Sequence, residues 1–450
     1  MSPVGVSGAM TPTDPETTTR RKFIGATASL GTLAIAGCAG DSETNGSDGG
    51  SGTNGSEMSP TPTVTETATE TETATETESG MAAPDVPLLN YALTLEHLEN
   101  AFYRDGLAEF SESELMGAET LSSFSQSVRM EVPGHLETVG AHEKAHVEAL
   151  SATVEQLGGA PVEEAEYDFG YSTPSEFLAV AKALENTGVA AYAGAAPQVV
   201  NNDVLAAAAG IHSVEARHAG FLNLINGEVP FPDGVDEAKS IDEVLEIAGG
   251  FVTSDVDPSV YETGDDRPTH DRKADDDTSD VDVLNYALTL EHLENAFYRD
   301  GLEQFSDDQL MSAEALSDFG SEVRMRVPRH LETVGAHEKA HVEAISATVE
   351  QLGGTPVQEA EYDFGYSTPS EFLAVAKALE NTGVAAYKGA APTVSNDDVF
   401  AAAIGIHSVE ARHAAFLNEL NATSPFPNGV DEPKTMKEVT QIASQFIVSD

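Results

Sequence analysis

VGAHEKAHVEAL, Val139 to Leu150, returns as VGAHEKAHVEAI, Val334 to Ile345. At 3.6 residues per turn Glu143 and His146 share one helix face. Leu136, Val139, Leu150 and Leu157 lie on that face too, so it is the face that should be buried. A carboxylate and an imidazole inside an apolar stripe are costly unless compensated. A metal ion is the simplest partner that accepts both. Glu-x-x-His alone occurs often by chance, so the rest of the chain decides its meaning.

The 450 residues are enough for two or three domains. Against 22 basic residues stand 76 acidic ones, a net charge of −54. Such a surface repels nucleic acid and anionic lipid, and it suits solvation in concentrated salt, as in a halophile. Cys38 is the single cysteine, which excludes an intrachain disulfide and any site built from several thiolates. No apolar run reaches the roughly 18 residues of a membrane-spanning helix.

The N-terminus reads as an address. Thr19-Arg20-Arg21-Lys22-Phe23-Ile24 resembles a twin-arginine export signal, and an apolar segment follows from Ile24 to Ala36. Ile35-Ala36-Gly37-Cys38 resembles a lipobox, which implies cleavage before Cys38 and lipidation of its thiol. Residues 1–37 are thus expected to be a lipoprotein signal. Residues 38–83, rich in Thr, Gly, Ser and Glu, cannot bury a core and should form a disordered, solvated tether. The expected location is the outer face of the cytoplasmic membrane, with Cys38 as lipid anchor.

Beyond the tether the chain repeats itself. Residues 89–248 align with 284–443 without a gap, and 125 of the 160 pairs are identical. Each copy is long enough for its own core, so this is a tandem duplication. The expected domains are 84–253 and 283–450, joined by an acidic linker, 254–282. Copy one reads as four long helices. They run from about Pro87 to Phe110, from near Pro133 to Gly158, from Pro174 to about Gly194 and from near Asn202 to Asn226. A long crossover separates the second from the third, and a short helix near Ile241 to Ala248 closes the copy. The spacing from 110 to 132 is ambiguous. An all-α chain of two four-helix bundles is the expectation.

Each long helix sets a Glu on its inward stripe: Glu96, Glu143, Glu185 and Glu215. The second and fourth add a His three residues on, His146 and His218. Four carboxylates supply hard oxygen ligands that neutralise two divalent ions, and each imidazole fills one further position. Without cations the same carboxylates, converging in a core, would repel one another. Glu96 is preferred to Glu99 because it continues the Leu89–Leu93 stripe; Glu99 is then a supporting or surface residue. Tyr103 and Tyr192 stand two turns beyond Glu96 and Glu185 and are placed to hydrogen-bond a carboxylate on the opposite helix. Copy two carries the full set again: Glu291, Glu338, His341, Glu380, Glu410 and His413, with Tyr298 and Tyr387.

The strings LNYALTLEHLENAFYRDGL, HEKAHVEAL, FLAVAKALENTGVAAY and GIHSVEARHAGFL resemble the ferritin-like domain of exported bacterial and archaeal proteins, including desiccation-related ones. The resemblance spans 86–253 and 281–448, with all four helices in order. It implies two iron or manganese ions per bundle. The two Glu-x-x-His helices are similar to the bacterioferritin and rubrerythrin pattern; rubrerythrin's Cys-based iron site is absent. His142-Glu143-Lys144-Ala145-His146 also fits His-Glu-x-x-His, the zinc-hydrolase motif. That reading leaves Glu96, Glu185, Glu215 and His218 unexplained. His142, His97 and His212 are otherwise supporting or surface residues.

Two function classes remain. One is an oxidoreductase of the ferroxidase or peroxidase and catalase kind, whose metal pair meets O2 or peroxide. The other is a non-enzymatic surface or desiccation-protective protein stapled by its metals. The linker is also long enough for the copies to dock as an intramolecular pseudo-dimer. Leu95, Leu98 and Phe102, with Leu290, Leu293 and Phe297, would then bring the first helices face to face.

Overall fold

The computed structural model describes residues 83–254, 257, 261 and 278–448. The export signal, Cys38 and the tether up to residue 82 lie outside the described residues, as does most of the linker. Copy one contains α1 (Val86–Glu109), α2 (Glu112–Met116), α3 (Gln126–Gln156), α4 (Pro174–Ala195), α5 (Asn202–Ile225) and α6 (Ile241–Gly249). Copy two repeats them as α7 (Asp280–Gln304), α8 (Asp307–Met311), α9 (Ser321–Gln351), α10 (Pro369–Ala390), α11 (Asp397–Leu420) and α12 (Met436–Ala443). Among the described residues there is no strand. Isolated bridges, Tyr167 to Val252 and Tyr362 to Ile447, tie each crossover to the end of its own copy.

The helix ends follow from local chemistry. Asn201 accepts from the Asp203 and Val204 amides to open α5. Thr173 accepts from the Glu176 amide, and Pro174 occupies the first turn of α4, where no amide hydrogen is needed. α3 corrects the sequence reading. It begins at Gln126, capped by Ser125, and Pro133 lies inside it. A proline eight residues into a helix gives up one backbone bond, and the burial of Val132 and Leu136 on either side offsets the loss.

In each copy α1 packs on α3 and α4 on α5, giving a four-helix bundle crossed by the long α3–α4 connection. The two bundles meet, but not through their first helices as expected. α5 lies along α11, with α4 and α10 flanking. Leu98 and Phe102 are already spent inside copy one. Phe102 stacks on Phe177 at 4.7 Å between ring centres and meets Phe169 of the crossover edge-on at 5.1 Å. Residues Ala209 to Leu222 of α5 are buried without a break, because one side serves its own bundle and the other meets α11. Ala216, Ala219 and Val189 pack on Ala411, Ala414 and Val384, small side chains that let two helix backbones approach closely.

Polar contacts lock this apolar seam in a reciprocal pattern. Arg217 Nε donates to Asp431 at 2.7 Å, and Arg412 Nε to Asp236 at 2.8 Å. Arg217 also reaches Asn381, and Arg412 reaches Asn186, each at 3.1 Å. His212, expected to be a supporting or surface residue, is buried instead. It faces its own duplicate, His407, at 5.8 Å between ring centres.

Candidate metal centre

α1, α3, α4 and α5 each turn one carboxylate to the bundle axis. Glu96, Glu143, Glu185 and Glu215 are fully buried, as are His146 and His218. Glu96, Glu143, His146 and Glu215 bring ligand atoms within 4.8 Å of one another, and so do Glu143, Glu185, Glu215 and His218. Glu143 and Glu215 belong to both groups. Copy two assembles Glu291, Glu338, His341 and Glu410, and Glu338, Glu380, Glu410 and His413, in the same way.

The donors fit a pair of cations better than they fit one another. His146 Nδ1 lies 3.1 Å from Glu96 Oε2, 3.1 Å from Glu143 Oε2 and 3.2 Å from Glu215 Oε1. One nitrogen carries at most one proton and cannot satisfy three acceptors. Both Glu215 oxygens are buried with no hydrogen bond, and the same holds for Glu410. An ionised carboxylate so placed is expensive unless a cation meets it. Burial, then the neighbouring carboxylates, push the Glu215 carboxyl well above its usual range. Burial raises Glu96 to about 7 against the opposing pull of His146. For Glu143 burial works upward too, but His146 and His218 hold it below the usual range.

Supporting contacts fix the ligand orientations. The Tyr103 hydroxyl donates to Glu185 Oε1 at 2.5 Å, across from α1 to α4. The Tyr192 hydroxyl makes the reverse crossing to Glu96. Tyr298 and Tyr387 serve Glu380 and Glu291 alike. His218 turns Nδ1 to Glu143 and Glu185, while its Nε2 sits 3.1 Å from His142 Nδ1. His142 therefore orients a neighbour rather than facing the carboxylates. The zinc-hydrolase arrangement needs that ring on the metal.

Of the two alternatives for Glu99, the supporting one holds. It is buried, not on the surface, and burial followed by Glu215, Glu185, Glu143 and Glu96 drives its carboxyl far upward. Room for it comes from Gly188. An alanine Cβ there would stand 3.0 Å from Glu215 Oε2 and 3.1 Å from Glu99 Oε1. The sequence signal was present: Glu96 and Glu99 are three residues apart, close enough for one face to hold both.

The other copy completes each centre. His146 Nε2 meets the Gly429 carbonyl at 2.6 Å, and His341 Nε2 meets that of Gly234 at 2.6 Å. That acceptor keeps the proton on Nε2 and leaves the Nδ1 lone pair for a ligand role. Phe426 sets its ring against His218 at 5.0 Å, and Phe231 does so against His413 at 4.8 Å. Each post-α5 or post-α11 loop thus roofs the opposite bundle. An apolar cavity of about 70 Å³ adjoins Tyr387 and Leu290, and one of about 30 Å³ adjoins Tyr192 and Leu150.

A family model described as a ferritin-like domain matches residues 84–228 and again 279–423. None of the curated proteins compared with the chain matches it.

Proposed function

This chain belongs to the ferritin-like domain family, and we propose that each bundle holds two iron or manganese ions that react with O2 or peroxide. The observation that carries the reading is the His146 Nδ1 atom, with three carboxylate oxygens within 3.2 Å and one proton at most to offer them. Glu143 and Glu215 would bridge the pair, Glu96 with His146 would close one end, and Glu185 with His218 the other. Copy two would use Glu338 and Glu410, Glu291 with His341, and Glu380 with His413.

A pair of redox-active ions supplies two electrons, which matches the two-electron reduction of O2 or of peroxide. The protein's residues set the conditions. Tyr192 holds its proton on Glu96 and Tyr103 on Glu185, which keeps the terminal carboxylates turned inward. The aliphatic walls exclude bulk water, and the cavities beside Tyr192 and Tyr387 offer a small apolar molecule a place near the centres. Metal-stripped protein given Fe(II) should consume O2, or given Mn(II) should release O2 from peroxide. Metal uptake that raises Tm with neither reaction would sink the redox reading and leave the metals as structural staples in a stress-protective protein.

The same proposal places the protein outside the cytoplasmic membrane, tethered through a lipid on Cys38. Supporting it are the register of the twin arginines with the lipobox and the polar stretch that follows. Cys38→Ser should move the protein from the membrane fraction to the soluble one with both bundles folded. Retention in the membrane fraction counts against the anchor.

A further inference from the structure

Two turns before the carboxylate pair, α3 carries Glu131 and His135, four residues apart on one face. His135 precedes Glu143 by eight residues, about 12 Å along the helix, so this is separate from the dinuclear cluster. Against it stands Glu419, near the end of α11 in the other copy. His135 Nε2 lies 3.6 Å from Glu419 Oε2, and one ligand atom from each of Glu131, His135 and Glu419 falls within 4.8 Å of the others. His135 is only 7 % exposed and its Nε2 makes no hydrogen bond. Phe221 and Phe426 wall the ring at 5.1 and 5.6 Å.

We infer that Glu131, His135 and Glu419 form a mononuclear site for a divalent transition ion, which clasps α3 of the first copy to α11 of the second. Two carboxylate oxygens and one imidazole nitrogen suit zinc, cobalt, manganese or iron, and the imidazole disfavours magnesium and calcium. Glu131, on the solvent side, leaves remaining positions for water. Glu419, partly buried, shares the site with Glu131, and a cation between the two carboxylates relieves their repulsion.

The duplication supplies an internal control. At the equivalent place in the other half, His330 is buried with the same unpartnered Nε2. Arg326 stands there for Glu131 and Leu224 for Glu419, beside His330 in one small hollow. A guanidinium and a leucine offer no ligand atom. The two halves therefore share the imidazole, and both carboxylates occur on one side only, which predicts one such ion per chain.

The test uses the full chain carrying Glu143→Ala and Glu338→Ala, titrated with Co(II) and with Zn(II). One equivalent should bind, with an absorption spectrum for cobalt typical of nitrogen and oxygen ligands. Glu419→Leu and Glu131→Arg install residues the other half already tolerates. Each should weaken binding more than about 100-fold, beyond what outer-shell changes cause. Leu224→Glu with Arg326→Glu should add a second equivalent. In the chain with its dinuclear residues intact, the same Glu419→Leu change should lower the total from five ions to four. Binding that is absent, or indifferent to Glu419→Leu, overturns the assignment; so does a folded double-Glu variant that stays at one equivalent.

Discussion

Changing Glu143 and Glu338 together to Ala should empty the metal pair proposed for each bundle. Each residue sits in both ligand groups of its own bundle. One truncation therefore removes an oxygen from two ion positions and leaves His146 and His218 without the carboxylate they share. The four positions, two groups in each of two bundles, should lose their ions, so elemental analysis under conditions that saturate the parent should fall from five ions per chain to the one assigned to Glu131, His135 and Glu419. The loss should exceed the roughly 10- to 100-fold typical of outer-shell changes. Circular dichroism should still report the helices, since α3 and α9 keep their apolar stripes. As a control, Glu148→Ala, exposed on the far side of α3, should leave the metal content unchanged. A double variant that keeps one zinc per bundle, lost only when His142 is removed as well, would restore the hydrolase reading.

The second large effect is in the pH dependence of the metal-stripped protein. Burial opposes a charge on His218, but Glu185 and Glu143 overcome it and raise the imidazole to about 9; His413 behaves alike. His146, Glu99 and Glu215 are raised further above their usual ranges. A folded pKa above the unfolded one means the native state binds more protons, so its stability falls as pH rises towards the folded value. Histidines lowered by burial, such as His135 and His142, act in the opposite direction. Their contribution is complete once pH passes the unfolded value near 6.5. Between about pH 6.5 and 9 the histidines and carboxylates therefore act with one sign, opposed by Lys388, which burial lowers. The stripped protein should lose a few kcal/mol, on the order of 10 °C in Tm, across that window at constant salt. With metal bound the carboxylates are already ionised and protons compete with the ion, so Tm should stay level or rise. Equal slopes with and without chelator would mean that no cation resides among these carboxylates.

The fold and much of the site were legible because both are local. A 3.6-residue period marks which Glu of a helix turns inward, and Glu143, Glu185 and Glu215 are found that way. Glu96 is found the same way, as the α1 member of its ligand group, with Glu99 buried beside it. Three residues is less than one turn, so a wide inward face takes both. The seam between the bundles was misplaced because α5 is buried on every side and shows no polar face by contrast. Its alanines and glycines are a signal of close helix approach, quieter than the large side chains of α1. Pro133 misled through a positional preference that the burial of its neighbours outweighed. The crossed loops and the Glu131–His135–Glu419 group join residues of different copies, and no local period reports such a pairing.

The crossed loops also impose an order of events during synthesis. The chain leaves the ribosome from its N-terminus, and domains form in that sequence. The first bundle's His146 takes its outer acceptor from Gly429, 283 residues downstream. For the whole time that copy two is being translated, copy one stands without its roof, and Phe426 has yet to reach His218. The first half is thus a waiting template, and its centre is finished only once the loop after α11 has been made.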